Sequence, residues 1–156
     1  MSQPPDILVD GDAKLFAVRA PDGGLMLSSN RAARFTAERW LRRDGLWAAS
    51  PWPEEGVSAG GWLTCDRLGC LYRPPGGSVA VVFDPRALDE DCWTATLVVA
   101  AVPVRGSCPS ARSVVDRFDL WREGAYAIWL EEGGARIESV VDWQGARPWA
   151  PRRGAP

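Results

Sequence analysis

The 156-residue chain contains no histidine, and this absence excludes several kinds of active site. Zinc hydrolases hold their metal with neutral imidazoles, and serine or cysteine hydrolases take up a proton through an imidazole base. Four cysteines are present, but none forms a Cys-x2-Cys pair, so a structural zinc site is not favoured. We therefore expect no catalytic residues, no cofactor and no small-molecule substrate.

Long apolar runs and a signal sequence are also missing. The sequence has no run of 18 apolar residues, and residues 1–5 show no basic segment followed by an apolar one. We expect no membrane-spanning segment in this sequence. An extracytoplasmic location then requires a part of the protein outside it.

Lysine is nearly absent, so the positive charge comes from arginine. Lys14 is the single lysine among 18 basic residues, and the formal net charge is -2, which argues against a strongly basic surface for nucleic acid. Two local groups remain suited to contact phosphates. They are Arg31, Arg34, Arg39, Arg42 and Arg43, and Arg105, Arg112, Arg117 and Arg122. For the first group, a solvated helix face balanced by acidic residues is the alternative.

The clearest pattern lies between Ser113 and Val141. It predicts a strand, a short helix and a hairpin, at residues 113–116, 117–123 and 125–141. Gly124 suits the helix C terminus, and the glycines before residue 135 suit a tight turn. We expect the three tryptophans of this unit to be core residues: Trp121, Trp129 and Trp143.

The first half of the chain predicts a β-meander followed by one long helix. Residues 1–28 contain three short apolar runs separated by turns. Ser29 is suited to cap the helix, which ends at Asp44 and whose apolar face is Ala33, Ala37, Trp40 and Leu41. Residues 46–61 show neither helical nor strand periodicity, so we expect an irregular loop that Trp47 and Trp52 anchor to the core. A surface on which these two rings stack with bases or another ligand is the alternative.

The centre of the chain predicts strands covered on both faces. Residues 62–65 and 70–73 form one predicted hairpin, while residues 78–83 and 96–102 are apolar throughout, as in doubly covered central strands. Asp84 and Pro85 begin a short helix between these last two strands.

We predict one α+β domain over residues 1–150, rich in β-structure, with two sheets, one main helix and short helices. We expect residues 151–156 to form a flexible tail, with Trp149 docked before it.

The cysteines allow three pairings if the compartment is oxidising. The simplest joins Cys65 to Cys70 and Cys92 to Cys108. Free buried thiols are the alternative.

Three motifs carry a resemblance to a known family. Residues 9–13 read VDGDA, residues 21–24 read PDGG, and residues 96–107 read TLVVAAVPVRGS. In this order they resemble the extracytoplasmic C-terminal part of the ComEC competence proteins, a metallo-β-lactamase-like domain that follows a membrane channel for transforming DNA. The resemblance places Val104 and Arg105 where the family has two metal-associated histidines. It implies a trimmed metallo-β-lactamase-like frame that has lost its metal ligands.

A second set of motifs resembles the proteobacterial branch of that family and covers almost the whole chain. The motifs are Cys65-x4-Cys70-x-Tyr72, Asp91-Cys92, Val102-Pro103-Val104, Cys108-Pro109, DRFDLWR-x-GA at residues 116–125, and Arg147-Pro148-Trp149. The resemblance implies a periplasmic location within a larger membrane protein. The channel portion of that protein is then one expected partner, and single-stranded DNA is the other.

The function that this resemblance implies is a non-catalytic domain that contacts DNA or braces the channel. The expected DNA contacts are Arg31, Arg34, Arg105 and Arg122. The alternative is a nuclease that uses Mn²⁺ or Mg²⁺, since hard cations accept carboxylate ligands and Asp10 and Asp12 follow a predicted strand. Two other carboxylate clusters are available, Asp84 with Asp89 and Asp91, and Asp116 with Asp119. Turn formation and N-capping explain each of these clusters without a metal.

Overall fold

A computed structural model describes residues 3–132 and 134–140. Within them the chain forms two six-stranded mixed sheets. Sheet A contains β1 (Ile7–Val9), β2 (Phe16–Arg19), β3 (Leu25–Leu27), β4 (Ser50–Pro51), β11 (Tyr126–Glu131) and β12 (Gly134–Ser139), in the order β12-β11-β1-β2-β3-β4. Sheet B contains β5 (Gly56–Ser58), β6 (Leu63–Cys65), β7 (Gly69–Tyr72), β8 (Val79–Val82), β9 (Leu97–Ala100) and β10 (Ser113–Val115), in the order β10-β9-β8-β7-β6-β5.

Three α-helices accompany the sheets in this part of the chain. They are α1 (Arg34–Arg43), α2 (Leu88–Thr94) and α3 (Arg117–Glu123). Two short 3-10 helices span Ala59–Gly61 and Pro85–Ala87, and the Asp84 carboxylate accepts a hydrogen bond from Arg86 N at the start of the second, as expected for a helix cap. The predicted α+β class with two sheets is thus confirmed.

The alternation of side chains along the strands explains how the sheets pack. On β1, Ile7 and Val9 join the central core between the sheets, while Leu8 faces the opposite side of sheet A. On β8, Val79 and Val81 likewise point to the central core. Successive strand residues point to opposite faces, so strands that are apolar throughout must be covered on both sides.

Two outer apolar clusters supply that cover. Trp40 of α1 packs against the outer face of sheet A, where Leu8, Leu25 and Leu27 are also buried. Leu88 of α2 packs against the outer face of sheet B, whose buried side chains are Ala80, Val82, Val98 and Ala100. The resulting order of layers is α1, sheet A, sheet B and α2.

The parallel strands of sheet B determine where the third helix lies. β8, β9 and β10 run parallel, so their carboxyl ends meet at one edge of the molecule. α3 begins two residues after β10, and its Leu120 is fully buried in the central core. We call this edge, with the turn after β1 that contacts it, the α3 end.

Two predictions about the first half of the chain are wrong in detail. Ser29 Oγ does accept hydrogen bonds from Arg31 N and Ala32 N, but α1 begins only at Arg34 because Ala33 adopts a left-handed conformation (φ 52°). The predicted irregular loop at residues 46–61 contains β4 and β5, which extend the edges of sheets A and B. Sheet pairing, rather than local periodicity, orders these short strands.

The tryptophans divide into buried and exposed ones. Trp52 is buried and donates a hydrogen bond from Nε1 to Met26 O at 2.7 Å, as expected of a loop anchor. Trp47 is fully exposed, so its predicted anchoring role is wrong.

Trp121 is 36% exposed rather than a core residue, because only one side of a seven-residue helix can face the core. Trp129 is half-buried, with its Nε1 donating to Gln3 O. Trp143, Trp149 and the tail at residues 151–156 lie outside the described residues.

Candidate functional site

An open cleft of about 370 Å³ lies at the carboxyl ends of β9 and β10. Open sheets place ligand sites at such ends, because the loops that follow the strands diverge there. The lining comes from the segment after β9 and from β10 and α3, and consists of Val104, Gly106, Cys108, Val114, Asp116, Phe118, Asp119 and Arg122. Val104 is therefore part of the cleft.

Two aspartates in the cleft form a reciprocal cap at the start of α3. Asp116 Oδ1 accepts a hydrogen bond from Asp119 N at 3.1 Å, and Asp119 Oδ2 accepts one from Asp116 N at 2.9 Å. Asp116 Oδ2 also accepts from Val104 N at 2.8 Å, which fixes the segment after β9 against the helix. Both carboxylates are thus occupied in holding the local backbone.

The environment of Asp119 changes its acidity. Burial raises the pKa of Asp119 above its usual range, and the neighbouring Asp116 carboxylate adds to this effect. The Arg122 guanidinium opposes it, since its Nη2 lies 2.8 Å from Asp119 Oδ1. The paired carboxylates and Arg122 together carry less negative charge than two free aspartates would.

Two arginines lie at this cleft: Arg122 lines it, and Arg105 contacts the lining residue Phe118. Arg105 lies over the ring of Phe118, with its Cζ 5.7 Å from the ring centroid, in a cation–π contact. Arg105 and Arg122 are both exposed, so their guanidinium groups remain accessible to an anion. The structure therefore brings two of the four expected DNA contacts to one cleft.

The other two expected contacts lie on a neighbouring element. Arg31 and Arg34 are exposed before and at the first residue of α1. Contacts with the turn after β1 connect this helix to the cleft: Thr36 Oγ1 donates to Asp10 Oδ1, and Arg117 Nη1 donates to Asp12 O. The helices that carry Arg34 and Arg122 therefore both contact the same turn.

The alternative metal site at Asp10 and Asp12 gains no further ligand. Asp10 is only 9% exposed, and its Oδ2 accepts a hydrogen bond from Asp12 N at 3.2 Å, which is the geometry of a turn-forming aspartate. Over residues 3–132 and 134–140, no three His, Cys, Asp or Glu side chains come together in a way that could hold a metal ion. The zinc-type metal centre of a metallo-β-lactamase also needs imidazoles, which the sequence does not contain.

Both expected disulfides are present. Cys92–Cys108 connects α2 to the segment that lines the cleft. Cys65–Cys70 joins register partners on β6 and β7. Disulfides form and persist in oxidising compartments, so this pair is consistent with an extracytoplasmic domain. No helix in the described part of the chain is long and apolar enough to span a membrane.

Sequence reasoning missed the place of Phe118 in the cleft. It did pair Asp116 with Asp119 and gave N-capping as an explanation of that pair, and the structure adds that the cap is reciprocal. The contact between Arg105 and Phe118 has no signal in the sequence, since it depends on how the segment after β9 folds back. No protein-family model, curated protein or solved structure matches this chain.

Proposed function

We propose that this chain is a non-catalytic, extracytoplasmic domain of a ComEC-like DNA-uptake protein. In this role the α3 end contacts single-stranded DNA as it approaches the membrane channel of the same protein. The motifs at residues 9–13, 96–107 and 116–125 support this assignment by their resemblance to the family. The order of layers, helix, sheet, sheet and helix, supports a trimmed metallo-β-lactamase-like frame.

One observation carries the proposed contact with DNA. Arg105 and Arg122 are exposed on one cleft, while the buried carboxylate of Asp116 is occupied by backbone hydrogen bonds. The cleft thus offers cations to phosphate groups, and the ring of Phe118 lies beside them for contact with an unpaired base. Arg31 and Arg34 extend the contact towards α1.

The chemistry of the cleft favours binding over cleavage. Asp116 and Asp119 each use both carboxylate oxygens to accept hydrogen bonds from the backbone or from Arg122, so a catalytic role for either would compete with the local structure that they hold. Asp10 forms its own turn. A nuclease that uses Mn²⁺ or Mg²⁺ would have to displace these bonds to bind its metal.

The test is the binding of a fluorescein-labelled single-stranded oligonucleotide, followed by anisotropy with Mn²⁺ present at several salt concentrations. We expect binding by the unaltered domain that weakens with salt. The double variant Arg105→Gln/Arg122→Gln should bind more weakly, and its log–log salt slope should fall by about 1.4, since each lost phosphate contact on single strands contributes about 0.7. Arg31→Gln/Arg34→Gln should show a smaller effect in the same direction.

Arg73→Gln is the control, because Arg73 is exposed just after β7 and does not line the cleft. An unchanged slope in the Arg105→Gln/Arg122→Gln variant would contradict contact at the cleft. A slow fall of anisotropy below its starting value would mean cleavage and would favour the metal-dependent nuclease. A flat trace for the unaltered domain would leave bracing of the channel as its role.

A further inference from the structure

The outer face of α1 is basic and carries an exposed aromatic ring. Phe35, Arg39 and Arg42 follow one another at spacings of four and three residues, so they share one side of the helix. Phe35 is 85% exposed, and the opposite side of the helix buries Trp40 against sheet A. Glu38 is the one acidic residue in α1, against Arg34, Arg39, Arg42 and Arg43.

The outer face of α2 has the opposite charge and also carries an exposed ring. Asp89, Glu90 and Trp93 are exposed, and Trp93 is 70% exposed. No basic residue occurs in the sequence of α2. Burial raises the pKa of Asp91 to about 6, and the charges of Glu90 and Asp66 add to this effect.

The fold keeps these two faces apart within one molecule. α1 covers the outer side of sheet A, and α2 covers the outer side of sheet B, so both sheets lie between the helices. The basic face of α1 therefore cannot meet the acidic face of α2 in the same chain. When two copies of the chain stack, the basic face of one copy can meet the acidic face of the other.

We propose that the basic face of α1 in one copy docks onto the acidic face of α2 in a second copy. Arg39 and Arg42 would pair with Asp89 and Glu90, and the two exposed aromatic rings would lie within the contact. The contact joins different surfaces of the two copies, so it repeats along a row unless it closes into a ring. Each face is short, so the association is weak and sensitive to salt.

A second copy accounts for more of the surface than a nucleic acid does. A phosphate backbone would explain the arginines of α1 and would leave the acidic face of α2 with its exposed Trp93 unexplained. A second copy explains both faces and balances their charges. This inference goes beyond the proposed contact with DNA, which rests on residues at the α3 end.

Sedimentation equilibrium at low salt tests the proposal. The unaltered domain should self-associate as its concentration rises towards the millimolar range, and added salt should reverse this. Arg39→Glu/Arg42→Glu and Asp89→Arg/Glu90→Arg should each weaken self-association at least about tenfold, because like charges then oppose each other. The variant that combines all four substitutions should self-associate again, since its two faces have exchanged charge.

Three controls make the outcome decisive. Arg73→Glu changes the net charge by the same amount per residue as each α1 substitution and should associate as the unaltered domain does. Circular dichroism should show that every variant is folded. Binding of the oligonucleotide should persist in Arg39→Glu/Arg42→Glu, because Arg105 and Arg122 are unaltered.

The proposal is overturned if the unaltered domain stays monomeric throughout this range. It is also overturned if the fourfold variant fails to associate while remaining folded. Loss of oligonucleotide binding in Arg39→Glu/Arg42→Glu, with self-association unchanged, would instead identify α1 as a nucleic-acid surface.

Discussion

Arg19 shows how much one buried side chain can hold together. Its Nε and Nη2 donate to Pro5 O at 3.1 and 2.8 Å, and its Nη1 donates to Gly23 O at 3.2 Å. Nη2 also lies 2.8 Å from Asp44 Oδ2, and both side chains are 9% exposed. One guanidinium thus joins the N-terminal segment, the turn between β2 and β3, and the end of α1.

Asp44→Ala should destabilise the protein by about 2 kcal/mol. Removing one partner of a buried pair costs about 3–5 kcal/mol, and two effects reduce this loss: Arg19 keeps its carbonyl acceptors, and an aspartate at a helix C terminus opposes the helix dipole. Urea denaturation measures the change. Glu54→Ala, at an exposed position, is the control and should lie within about 0.5 kcal/mol of the unaltered protein. Equal stability of the two variants would mean that the pair contributes nothing net.

The stability of α3 depends on its first residues. It has seven residues, too few to be stable alone, so its cap and the burial of Leu120 must hold it in place. The Asp116 carboxylate serves two elements at once, because it accepts from Asp119 N in the helix and from Val104 N after β9.

Asp116→Ala should therefore cost about 2 kcal/mol and loosen the cleft. The cap accounts for about 1 kcal/mol, and the orphaned amide of Val104 adds a similar amount. Thermal unfolding measures the stability, and hydrogen exchange at Val104 measures the local effect. Asp116→Asn keeps an acceptor oxygen and should lose less. Exchange at Val104 that stays slow in Asp116→Ala would show that the bond does not hold this segment.

The sequence predicted the elements whose local signals agree with their burial. The unit from β10 to β12 and the doubly covered strands β8 and β9 were found, because their apolar patterns are long or uniform. β4 and β5 were missed, since a two-residue strand with a proline and a three-residue strand with a glycine acquire their order from the neighbouring strand. The late start of α1 was also missed, because nothing in the sequence signals the left-handed Ala33.

The candidate site was less predictable than the fold. Its arginines were predicted to form two groups, and the structure brings two members of the second group, Arg105 and Arg122, to one cleft through the packing of α3. Trp47 and Trp121 were expected to be buried, yet both are exposed, because the apolar character of a side chain does not determine which side of a short element faces the core.

For the whole molecule, the two disulfides should differ in what they contribute. Cys92–Cys108 closes a segment with a sequence separation of 16, and Cys65–Cys70 one of 5. Loop-closure entropy gives about 3 kcal/mol for the longer segment and about 2 kcal/mol for the shorter one. Cys92→Ser/Cys108→Ser should therefore lower the melting temperature more than Cys65→Ser/Cys70→Ser does. The reverse order would show that the hairpin of β6 and β7 depends on its bridge for more than entropy.

The position of β1 in sheet A determines when the domain can finish folding. β1 pairs with β2 on one side and with β11 on the other, so Ile7 meets both Val18 and Ile128. During synthesis the second partner appears only after most of the chain has been made, and until then β1 presents an open edge to other chains. Contacts between such distant parts of a sequence form slowly. A chain truncated before β11 would thus expose an apolar strand edge, and aggregation would compete with its folding.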